Sequence, residues 1–76
     1  MQTHLPRALR AFGLNVRKHR EACGLTQERA GEKADLDPTY ISGIERGLRN
    51  PSLLSICRIA KALGVSAAQL VDGVRE

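Results

Sequence analysis

Aromatic residues are almost missing from this chain: only Phe12 and Tyr40 occur among 76 residues, and tryptophan is absent. Proteins that bind RNA or single strands stack bases on several aromatic faces, so this scarcity argues against such partners. Cysteine is scarce too. Cys23 and Cys57 lie far apart with no CxxC pair, and His4 and His19 are the only histidines, so neither a zinc site nor a disulfide framework is indicated. Both cysteines are expected to serve as small apolar residues in a reduced cytosol. No apolar run approaches the roughly 20 residues that cross a bilayer, and the N-terminus lacks the apolar core of a signal peptide. A cytoplasmic protein with no membrane partner is expected. A nucleophile–base pair, a metal cluster and a phosphate-binding glycine loop are all absent, so an enzyme, a cofactor and a small-molecule ligand are not expected.

What is present is positive charge, unevenly placed. The net charge is +4. Arg7, Arg10, Arg17, Lys18 and Arg20 stand against Glu21 alone in residues 1–25, and the remaining two thirds of the chain sum to zero. Such a bias fits an anionic partner, although a solvated helix face can look the same. A chain this short buries little surface and gains from self-association, so a homodimer is expected before any motif is read.

Strand signals are weak, because apolar and polar residues never alternate strictly and no Asn-Gly or Asp-Gly turn occurs. Helix punctuation recurs instead. Pro6 opens a first helix reaching Cys23, with Leu9, Phe12 and Val16 as its apolar stripe and Gly24 beyond its end. Thr26 caps a second helix, Gln27 to about Ala34, in which Ala30 and Ala34 face inward. The segment Asp35-Leu36-Asp37-Pro38 turns the chain into a third helix, about Pro38 to Arg46, stopped by Gly47. Leu36 and Ile41 form a staple around that start. Ser52 caps a fourth helix carrying Leu53, Ile56, Ile59, Ala60 and Leu63, which Gly64 closes. Ser66-Ala67-Ala68-Gln69 is a capping box for a fifth helix, with Val65 and Leu70 as its staple. The tail from Asp72 to Glu76 is expected to fray. The expected fold is all-α, five helices in a single domain over residues 1–76.

A turn of about three residues between the second and third helices makes them cross, which is the helix-turn-helix arrangement. Gly31 falls where the two helices approach too closely for a side chain. The segment "GLTQERAGEKADLDPTYISGIERGLRNPSLLSICRIAKALGVS" resembles the Cro/phage-repressor (XRE-type) helix-turn-helix family. Within it "TYISGIERGLRNPS" is especially similar to the controller proteins of restriction–modification systems. The sequence departs from the family pattern at Ala30, where Leu is usual, at Gly31, where Ala is usual, and at Asp35, where the turn normally has Gly.

The resemblance implies a lambda-repressor-like domain whose third helix enters the major groove of double-stranded DNA, with dimers covering two half-sites ~34–36 Å apart. Gln27, at the positive end of the second helix, is then expected to bond a phosphate. Thr39, Tyr40 and Ser42 face outward and are candidates for base edges and nearby phosphates. Pro38 and Gly43 stand where other members place long reading side chains. Gly43 is expected to let the helix lie close to DNA, and groove width and deformability should supply part of the specificity. Arg46 suits phosphate and Arg49 suits guanine, with Asn50 in reach; two arginines near a helix end also complement its dipole. The resemblance pairs Glu45 with Arg20, although on charge alone Arg17 is as good a partner. Leu54, Val65, Leu70, Val71 and Val74 exceed what one small core needs and are expected at a dimer interface, while Val65 and Leu70 fit the monomer core nearly as well.

The expected function is a homodimeric, nucleoid-associated transcription regulator recognising a palindromic operator, in its sharpest form a restriction–modification controller. An alternative is an antitoxin or adaptor with the same DNA-binding domain that mainly binds a protein partner.

Overall fold

The computed structural model describes residues 5–76, which form five helices and no strand. They are α1 (Arg7–Ala22), α2 (Gln27–Ala34), α3 (Pro38–Glu45), α4 (Leu53–Leu63) and α5 (Ala67–Leu70). Each start after the first is held by the side chain directly before it. Thr26 accepts from the Arg29 N–H at 3.0 Å, Asp37 from Thr39 at 2.7 Å and Ser52 from Ser55 at 3.1 Å. Ser66 and Gln69 close the reciprocal capping box at 3.1 and 2.9 Å. These bonds satisfy backbone donors that a helix start leaves open, and they need no distant partner.

The core draws on every helix. Phe12 and Val16 of α1, Ala30 and Ala34 of α2, Ile41 and Ile44 of α3, and Ile59, Ala60 and Leu63 of α4 are buried together with Leu70. Leu70 was expected at a dimer interface; with 0% exposure it belongs to the core, because α5 turns its staple side against α1 and α4. Val65 and Val74 pack half-buried against the same cluster, so they too are mainly internal. Leu53, expected on the inner stripe of α4, is instead 73% exposed, while Ile56 packs against the core. Both cysteines are exposed rather than apolar filling, with the Cys23 thiol donating to the Leu63 carbonyl at 3.1 Å.

Two glycines set how closely the elements approach. A Cβ on Gly13 of α1 would stand 2.3 Å from the Ile44 carbonyl oxygen, so α1 runs directly against the end of α3. A Cβ on Gly31 would meet the Leu36 carbonyl at 2.6 Å, which is where the turn folds back over α2. That turn holds Asp35 at φ 58°, a left-handed conformation that Asp tolerates better than most residues.

The tail does not fray as expected. Asn15 donates both hydrogens of its amide to the Leu70 and Asp72 carbonyls, at 2.8 and 2.9 Å, and so holds the end of α5 against α1. Glu76 then accepts from the Ala8 N–H at 2.6 Å, supplying the side-chain cap that Pro6 cannot.

Candidate nucleic-acid interface

The sequence places a single carboxylate within α3, and the fold turns it inward. Glu45 has a side chain only 3% exposed, clamped by Arg20 with Nε at 2.6 Å and Nη2 at 3.0 Å. Arg20 also donates to the Leu25 carbonyl at 2.8 Å, which fixes the plane of its guanidinium. The hydrogen bond to Glu45 raises the Arg20 pKa above its ordinary value; burial opposes the shift and the Glu45 charge adds to it. Arg17, equal to Arg20 on charge alone, points to solvent and pairs with Glu21 at 3.2 Å. Packing separates the two, since the Arg20 side chain is 12% exposed and that of Arg17 60%.

Gln27 joins the same cluster. Its amide donates to the second Glu45 oxygen at 3.1 Å, so α1, α2 and α3 meet at one buried carboxylate. Gln27, expected to bond a phosphate, is half-buried, with one amide N–H committed to Glu45 and one left over. Beside it Glu28, Pro38, Thr39 and Ser42 line a shallow cleft between the starts of α2 and α3.

On the remaining face Thr39 and Arg46 are exposed, and Tyr40 and Ser42 are half-buried. Arg49 and Asn50 are exposed in the loop after α3. Gly43, expected to let the helix lie close to DNA, is buried: a Cβ there would stand 2.9 Å from Arg49 Cγ, so the arginine stem lies across it. The Arg49 guanidinium carbon is 5.7 Å from the centre of the Tyr40 ring. Gly47, just after the helix end, takes φ 76° and lies against Arg10 of α1, where a Cβ would stand 3.0 Å from Arg10 Cγ. Neither the Arg10–Gly47 contact nor the close approach at Gly13 was foreseen from the sequence. A glycine inside a helix costs about 1 kcal/mol, and that unexplained cost was the available signal for Gly13.

Residues 16–70 match the helix-turn-helix family. The chain belongs to that family, in its Cro/phage-repressor branch. This helix-turn-helix protein is 48% identical over 62 residues to the control protein C.BamHI of Bacillus amyloliquefaciens, covering 80% of this chain and 76% of that one. It is 41% identical over 64 residues to the transcriptional regulator y4dJ of Sinorhizobium fredii, covering 84% and 83% of the two chains. Its fold superposes on the crystal structure of the restriction–modification controller protein C.AhdI from Aeromonas hydrophila with a TM-score of 0.80. The two are 42% identical, with 82% of this chain and 94% of that one covered. The helix-turn-helix protein is therefore a DNA-binding transcriptional regulator, of a class that is not enzymatic. No helix among the described residues is long and apolar enough to cross a membrane.

Proposed function

We propose that this regulator binds a palindromic operator as a homodimer, with α3 in the major groove, and controls a restriction–modification operon. One observation carries the reading: the only carboxylate of α3 is withdrawn and neutralised by Arg20, so the helix presents hydroxyls, a phenol ring and arginines to an anionic partner. Thr39, Ser42 and Arg49 address base edges, while Gln27, Arg46 and Arg10 address phosphates, with Asn50 beside them. Gln27 retains a second N–H at the positive end of α2, and its bond to Glu45 orients that N–H in advance. The exposed Leu54 and Val71, 61% and 41% accessible, are the remaining interface residues of the homodimer, and Leu53 joins them. The likeness to C.BamHI and C.AhdI supports the operon assignment over an antitoxin or adaptor.

Two substitutions test the division of labour, with a site selected by the protein from a random duplex library. Arg49→Ala is expected to relax discrimination at one base pair per half-site by about 1–3 kcal/mol. Gln27→Ala should weaken matched and mismatched duplexes alike. Equal loss on all duplexes for Arg49→Ala would make it a phosphate contact and sink its assignment.

A further inference from the structure

Arg49 is exposed in a loop, where an arginine ordinarily samples many rotamers and must be frozen at a cost when it binds. Here two features of α3 narrow that choice. Gly43 leaves a gap that the Arg49 stem occupies, with Cγ, Nε and Cδ at 2.9, 3.3 and 3.6 Å from where a Cβ would be. One turn earlier on the same face, the Tyr40 ring lies under the guanidinium at 5.7 Å, inside the ~6 Å reach of a cation–π contact. The loop is itself held, because the Leu48 N–H returns to the Gly43 carbonyl at 2.9 Å and Pro51 is buried. Stacking uses the face of the guanidinium. Its in-plane N–H groups remain available for a bidentate contact to guanine.

We infer that Tyr40 is a positioning residue that acts on DNA through Arg49, and that the two side chains read one base pair as a unit for which Gly43 supplies the space. The inference rests on the assignment of Arg49 to a base edge. It gives Tyr40 a different task from a direct base contact: the ring matters and the hydroxyl does not. It also gives Gly43 a task unrelated to close approach of the helix backbone to DNA.

The test measures binding to the library-selected duplex and to variants substituted at each position, at one salt concentration. The proteins are wild type, Arg49→Ala, Tyr40→Leu, Tyr40→Phe, Gly43→Ala and the Tyr40→Leu/Arg49→Ala double variant. Tyr40→Leu and Arg49→Ala should lose discrimination at the same base pair, by about tenfold. The double variant should lose no more than Arg49→Ala alone. Tyr40→Phe should stay within about twofold of wild type, which a phenol contact to DNA would not allow. Gly43→Ala should lose part of the discrimination at that position while folding at least as stably, since Ala is the better helix former and the obstructed neighbour is a flexible side chain. Loss at a different base pair for Tyr40→Leu, an additive double variant, or a Tyr40→Phe profile as poor as that of Tyr40→Leu would each overturn the coupling while leaving Arg49's reading intact. An Arg49→Ala profile identical to wild type would instead remove Arg49 as a base reader, and the inference with it.

Discussion

Glu45 decides more of this molecule than any other single residue. A carboxylate this far from water is tolerable only with its partners in place, and Arg20 and Gln27 provide three hydrogen bonds to it. Removing one partner of a buried pair leaves the other uncompensated, so Arg20→Ala is expected to destabilise the fold by about 3–5 kcal/mol, read as a lower urea midpoint. Replacing both residues by methionine should recover most of that loss, because an apolar pair of similar volume has no charge to desolvate. If Arg20→Ala costs under about 1 kcal/mol, the pair is only a surface contact. pH should not weaken the pair from the arginine side. A folded-state value raised above the unfolded one contributes stability at every pH below the unfolded value, which for arginine covers the working range. In the sequence alone the charges of Arg17 and Arg20 were equivalent. Arg20 continues the Phe12–Val16 stripe by one turn, and the packing of α1 on α3 brings it, rather than Arg17, to Glu45.

At the scale of elements, the helices were legible wherever their determinants lie within four residues. α2 and α4 run as their caps predict, and α5 begins at its capping box. α1 and α3 each stop one residue short of expectation, at Ala22 and Glu45. What could not be read were contacts that join distant parts of the chain: Asn15 to the end of α5, Glu76 to the start of α1, and Gln27 to Glu45. Gly13 shows the contest between local and distant effects most directly. Gly13→Ala should gain about 1 kcal/mol in helix propensity, yet its methyl would drive into the Ile44 carbonyl at 2.3 Å, against backbone that cannot rotate away. The net expectation is destabilisation by about 1–3 kcal/mol in thermal or urea unfolding. A stabilised Gly13→Ala variant would contradict the close crossing of α1 and α3.

For the whole molecule, the reading face was legible only in part. Thr39, Ser42 and Arg46 stand on the outward side and end of α3 as helical period demands, with Asn50 in the loop beyond, but the covering of Gly43 by Arg49 depends on how a six-residue-distant loop returns. The candidate dimer surface narrowed for a related reason: apolar residues were in surplus by composition, and only the packing of α5 shows that Leu70 is spent inside. Together these faces are proposed to make a specific duplex-DNA reader. The most direct measurement is a titration of the protein against its own upstream promoter DNA and against a scrambled duplex at several salt concentrations. Binding tighter to the promoter by about 10³-fold or more, two chains per palindromic site, and affinity that falls steeply with salt on both duplexes are expected. Equal affinity for the two duplexes, or affinity indifferent to salt, would contradict this proposal.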